Sequence, residues 1–212
     1  MTADTPINDT PINDTPINDT PIDGGAPLLL FPGSGSSSAH PSLLAIEQAI
    51  APRPCVRTDF AYRLAGRRAP DRPPVLLQAV VDAAIAIGHP APVLGGRSMG
   101  GRICSIAVAD ALVPASALVL VCYPLHPPGK PERLRVEHFP RIAVPCLFVS
   151  GTRDTFGTPD ELEHWTTTIA GPVTHVWIDG KGHDLKGADQ RVADAVAGWL
   201  DERSGAGGER SR

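Results

Sequence analysis

Three residues in this chain have the types and the order that acyl-transfer chemistry needs: Ser98, Asp154 and His183. Ser98 is the centre of Gly96-Arg97-Ser98-Met99-Gly100, which follows the apolar pair Val93-Leu94 and feeds a helical pattern. A serine on a sharp turn between a strand and a helix is the layout of a nucleophile elbow. The turn strains its central residue, and its flanks must be small so that strand and helix can close; Gly96, Gly100 and Gly101 meet that need. The start of the following helix aims unpaired N–H groups and a positive dipole end at any negative charge that builds there.

A serine hydroxyl is a poor nucleophile at neutral pH and needs a neighbouring base. A histidine usually supplies it, and an acid behind the ring fixes its tautomer and stabilises the imidazolium. Asp154 follows the apolar run Val144 to Ser150, and His183 lies in the Gly-rich segment Gly180-Lys181-Gly182 after another apolar run. Asp154 could instead cap a helix starting near Pro159, but Asp160 stands nearer that start. Asp179 and Asp184 are rival acids, too close to His183 in sequence to reach the back of its ring. His164 and His175 fall inside a helical and a strand pattern and read as packing or surface residues, while His126 lies in a long connection and is a candidate for substrate contact.

Acyl transfer also needs donors for the oxyanion that develops on the carbonyl oxygen. The N–H after the nucleophile belongs to Met99, and a second donor comes from the loop after the first strand. There Pro32-Gly33-Ser34-Gly35 makes Ser34 the first candidate and Gly35 the fallback, with Gly33 and Gly35 also as substrate neighbours. The same loop lacks a lysine and the spacing of a phosphate cradle. No His, Cys and Asp cluster has metal-ligand spacing, so neither metal nor cofactor is expected.

Positioning these residues takes a scaffold, and the apolar runs describe one. A continuous apolar run at Leu28 and further strand-like stretches starting at Cys55, Val93, Ala117, Val144 and Val173 alternate with helical patterns. Such alternation predicts an α/β domain with a mostly parallel six-stranded sheet and helices on both faces. Ligands bind such sheets at the carboxyl ends of the strands, where every candidate above falls. The loops 60–74 and 123–141 are expected to build the pocket.

The 212 residues suffice for one well-buried domain. Residues 4–23 repeat Asp-Thr-Pro-Ile-Asn, with proline every fifth position, and predict a disordered tail over 1–25. The folded domain is expected over 26–203, with a second tail at 204–212. A net charge of −4 gives no sign of nucleic acid, and no apolar stretch reaches the ~20 residues of a membrane span. Four scattered cysteines without a CxxC pair, and no signal peptide, predict core thiols and a cytoplasmic protein.

Four segments carry a family resemblance: Gly-Gly-Arg-Ser-Met-Gly-Gly-Arg (95–102), Tyr-Pro-Leu-His-Pro-Pro-Gly-Lys-Pro (123–131), Gly-Thr-Arg-Asp-Thr-Phe-Gly (151–157) and Gly-His-Asp-Leu (182–185). Over roughly 26–200 the chain resembles the α/β-hydrolases, in the branch of the testis-expressed and NSL-complex-subunit hydrolase-like proteins, related to dienelactone hydrolases. The resemblance implies a compact α/β-hydrolase fold without a large lid, with Ser98, Asp154 and His183 as catalytic residues. In this family the first-strand loop often has a histidine before the glycine; here Pro32 stands there.

These readings lead to a serine hydrolase acting on a small acyl substrate, with Tyr123 and His126 among the substrate-binding residues. The rival is a catalytically silent, hydrolase-shaped scaffold. A protein partner or self-association is left open.

Overall fold

The computed structural model describes residues 21–205. Six strands form one fully parallel sheet: β1 (Leu28–Phe31), β2 (Cys55–Arg57), β3 (Val93–Arg97), β4 (Ala117–Val121), β5 (Cys146–Gly151) and β6 (Val173–Ile178). Their order across the sheet is β2-β1-β3-β4-β5-β6. Between them run helices α1 (Pro41–Ala49), α2 (Ala61–Leu64), α3 (Pro73–Ile87), α4 (Met99–Ala109), α5 (Pro159–Thr166) and α6 (Asp189–Arg203). The compact α/β-hydrolase architecture expected from the sequence is therefore present.

Burial on both faces explains why the central strands are apolar at consecutive positions rather than at alternate ones. Leu29, Leu94, Leu118, Leu120 and Phe148 face the core under α3, α4 and α5. Leu28, Leu30, Val93, Val119 and Val149 face the core under α1 and α6. The register places Phe31 beside Gly96 and Arg97 beside Val121. With all strands parallel, the loops that follow β1, β3, β5 and β6 meet at one edge.

Element boundaries shift for local reasons. The second strand, expected over 55–60, pairs only over Cys55–Arg57, and the expected loop after it contains the short α2. Helix α3 starts at Pro73, because proline lacks only an N–H that the first turn leaves unpaired anyway.

The domain edges also differ from expectation. Residues 1–20 and 206–212 lie outside the described residues. Of the tail expected to be disordered, residues 21–25 are described, and Ile22 is only 2% exposed within the α1–α6 core. Its N–H donates to the Arg203 carbonyl at 3.0 Å. Arg53 ties both ends, donating to the Ala26 carbonyl at 2.7 Å and to Ser204 Oγ at 2.6 Å. The isoleucine of the last repeat thus joins the buried cluster to which α1 and α6 contribute.

Cys104, Cys122 and Cys146 are buried, Cys55 is half-buried, and all four are free. Among the described residues no helix is long and apolar enough to cross a membrane.

Candidate active site

Ser98 joins β3 to α4 with φ +51° and ψ −117°. A non-glycine residue at positive φ is strained by roughly 1–3 kcal/mol and persists only where its surroundings hold it. Here the Ser98 N–H donates to the Val121 carbonyl at 2.8 Å, and the Ser98 carbonyl accepts from the Arg102 N–H at 3.0 Å. The turn also needs glycine: a Cβ on Gly96 or Gly100 would overlap the Phe31 carbonyl oxygen.

The strand ends bring the three sequence candidates together. His183 Nε2 lies 2.9 Å from Ser98 Oγ, and His183 Nδ1 lies 2.8 Å from Asp154 Oδ2. A carboxylate only accepts, so Nδ1–H donates to Asp154 and the Nε2 lone pair faces the serine hydroxyl. Asp154 is 1% exposed, and its Oδ1 also accepts from the Phe156 N–H at 2.8 Å. Helix α5 does not use it as a cap. Thr158 and Glu161 form a capping box there, with the Thr158 N–H donating to Glu161 Oε2 at 2.9 Å.

Two neighbours hold His183 that sequence reasoning missed. Phe156 stacks on the imidazole with ring centroids 3.9 Å apart and planes 27° from parallel. An aromatic two residues after the acid was the available signal. Arg97, at the buried end of β3, donates from Nη2 to the His183 carbonyl at 2.6 Å. This contact fixes the backbone of the histidine loop from the strand that presents Ser98.

A cavity of about 260 Å³ opens over the serine. Ser98, Met99 and Ser34 border one side, and Phe156, Pro124, Arg102 and Arg135 border the rest. Met99 begins α4, so its N–H has no partner within the helix. The loop carrying Ser34 is anchored by Tyr62, whose hydroxyl donates to the Ser34 carbonyl at 2.8 Å. Gly33 lies against Ser98, where an added Cβ would sit 3.5 Å from the serine Cβ. Larger depressions of about 420 Å³ and 390 Å³ beside α3 are mainly apolar and hold no nucleophile.

Three other expectations are corrected. Tyr123 does not face this cavity: it is 1% exposed, packs on Phe139 and Phe148, and spends its hydroxyl on the Arg135 carbonyl at 2.8 Å. His126 is 5% exposed and away from the cavity, with Nδ1 at 2.9 Å from the Pro127 carbonyl and Nε2 at 3.4 Å from Glu161. Both belong to a loop that folds inward, which polar tips in a Pro-rich run disguise. Gly35 is exposed with open space around it, outside the cavity wall. Of the two loops expected to line the pocket, 123–141 contributes Pro124 and Arg135, whereas 60–74 acts through Tyr62.

The fold also brings Cys122 to the site, with ligand-type atoms of Cys122, Asp154 and His183 within 4.8 Å of one another. Burial pushes the Cys122 thiol up to about 12, and both ring nitrogens of His183 already have partners. Metal ligation requires a deprotonated thiolate and a free imidazole nitrogen.

The profile of the alpha/beta hydrolase domain matches residues 25–198. The chain belongs to that family. Among solved structures, an alpha-beta serine hydrolase homologue from Coxiella burnetii is 19% identical with a TM-score of 0.68, over 86% of this chain and 88% of its own. Dienelactone hydrolase from Anabaena variabilis is 20% identical with a TM-score of 0.66, over 86% and 89%. Est1E from Butyrivibrio proteoclasticus is 14% identical with a TM-score of 0.69, over 84% and 88%. At such identities the likeness is one of fold.

Proposed function

We propose that this alpha/beta hydrolase is a serine hydrolase cleaving an ester, or a similarly activated acyl bond, of a small molecule. The observation that carries the reading is the unbroken path of hydrogen bonds from Asp154 through His183 to a strained Ser98 that borders a cavity. Ser98 Oγ attacks the carbonyl carbon while its proton passes to His183 Nε2. Asp154 stabilises the imidazolium, and the Met99 and Ser34 N–H groups hold the oxyanion. As the tetrahedral adduct collapses, His183 returns the proton to the leaving alkoxide. Water, activated by the same imidazole, then attacks the Ser98 ester and frees the acid. The chemistry needs no cofactor.

A cavity of about 260 Å³ favours a short acyl or alcohol portion. The 123–131 run supports placing the chain in the testis-expressed and NSL-subunit branch. Four free thiols support a reducing, cytoplasmic setting. The rival reading, a silent scaffold with a protein partner, draws on the exposed Leu64, Ile85 and Leu112. Turnover of short-chain 4-nitrophenyl esters separates the two: the hydrolase reading expects hydrolysis that Ser98→Ala abolishes, and the scaffold reading expects none.

A further inference from the structure

Resting on that serine hydrolase reading, the cavity over Ser98 carries a feature that acyl transfer itself does not use. Arg102 and Arg135 both border it. Arg102 stands one turn beyond Ser98 on α4, on the same side of the helix. Its Nε is buried and has no hydrogen-bond partner. Arg135 comes from the β4–β5 connection, and its backbone is pinned by the Tyr123 hydroxyl at 2.8 Å. Its guanidinium makes one long bond, from Nη1 to the Pro124 carbonyl at 3.4 Å.

Among the described residues neither arginine has an acidic partner. Glu132 and Glu137 line the adjoining outer groove with them, yet among the described residues neither glutamate comes within 4.0 Å of either guanidinium. The nearby ion pairs elsewhere, such as Arg141 with Asp110 at 2.5 Å, show how surface arginines of this chain are otherwise spent. Burial, followed by the charge of Arg102, pulls Arg135 below the ordinary guanidinium range. Arginine nevertheless keeps its proton in proteins. Two cations therefore face one small cavity, and an anion between them would relieve their mutual repulsion.

We propose that Arg102 and Arg135 form an anion subsite, and that the substrate is an ester bearing a carboxylate in its acyl or its alcohol half. A planar guanidinium matches the two oxygens of a carboxylate, and the subsite holds the reacting carbonyl against Ser98 by its distal charge.

The test compares charged and neutral esters of the same size. Mono-4-nitrophenyl adipate is set against its methyl ester for an acyl-side carboxylate, and 4-acetoxybenzoate against methyl 4-acetoxybenzoate for an alcohol-side one. In the wild type kcat/KM is expected to favour the anion by about tenfold or more in one pair, a preference weakened by salt. Arg102→Gln and Arg135→Gln should each bring that ratio towards one. No anion preference in either pair, or parallel slowing of both members by the arginine substitutions, would overturn the subsite and leave the serine hydrolase reading intact. If no ester turns over, the hydrolase reading fails, and equilibrium binding of mono-4-nitrophenyl adipate to Ser98→Ala decides the subsite. Binding weakened about tenfold by added Arg102→Gln upholds it; binding that is absent or unchanged overturns it.

Discussion

Phe156 lies flat against the His183 imidazole at 3.9 Å between centroids, while its own N–H donates to Asp154 at 2.8 Å. One residue thus fixes the ring by its side chain and the acid by its backbone. Phe156→Ala keeps the backbone bond but frees the ring. It is expected to lower kcat/KM for a short ester by about tenfold to a hundredfold, mainly in kcat, with Phe156→Tyr restoring most of it. Unchanged kinetics in Phe156→Ala would show that the stack positions nothing.

Asp154→Asn preserves shape but replaces an acceptor with a group that can donate to Nδ1. The imidazole then adopts the tautomer that presents N–H to Ser98 and loses its basic lone pair there. Ester turnover should fall by about a thousandfold to ten-thousandfold while the protein stays folded. Steady-state kinetics checks this, and a loss below about tenfold would remove Asp154 from the relay.

The elbow glycines make a stability prediction of opposite sign to an exposed one. An alanine Cβ at Gly100 would overlap the Phe31 carbonyl and come within 2.7 Å of the Pro32 carbonyl, both backbone groups that cannot step aside. Gly100→Ala should cost about 1–3 kcal/mol or more in urea unfolding. Gly198 lies in α6 with open space around it, so Gly198→Ala should add about 0.5–1 kcal/mol. Equal effects at both sites would contradict the packing described for the elbow.

Much of this architecture is legible in the sequence because physical requirements leave marks at fixed places. Strands covered on both faces must be apolar throughout, so the runs at Leu28, Val93 and Ala117 announce themselves. Ser98, Asp154 and His183 stand at strand ends, where a parallel sheet gathers its loops. What depends on how loops fold back is illegible. Tyr123 and His126 carry polar tips in a proline-rich run and look solvent-facing, yet their tips bond to carbonyl groups or Glu161 in the interior. Arg135 enters the cavity wall from a loop whose backbone Tyr123 holds from the interior. Ile22 follows the same Thr-Pro pair as the earlier repeat isoleucines, and nothing in the repeat marks it as a core residue.

Acid should weaken the fold through His138. Ser105 donates its hydroxyl proton to the Arg102 carbonyl at 2.8 Å, so His138 donates its Nε2–H to Ser105 Oγ at 2.8 Å and is held as a neutral ring. Burial pulls its pKa from 6.5 down to about 4. Above the unfolded value both states are neutral and the full stability is present. Between 6.5 and about 4 the unfolded chain takes up the proton first, so stability falls with pH through that window, by about 3 kcal/mol in all. His40 and His175, also lowered by burial, act with the same sign. Urea unfolding across this range should show a shallower pH slope in His138→Gln than in the wild type. Identical slopes would contradict the assignment.

If Ser98 is an activated nucleophile, a fluorophosphonate probe reads this directly. Trypsin cleaves after Arg97 and Arg102, so any adduct on Ser98 appears on the single peptide Ser98–Arg102. Near-stoichiometric labelling of that peptide is expected in the wild type, and none in Ser98→Ala or His183→Ala. A folded wild type that stays unlabelled, or labelling that survives in Ser98→Ala, would contradict it.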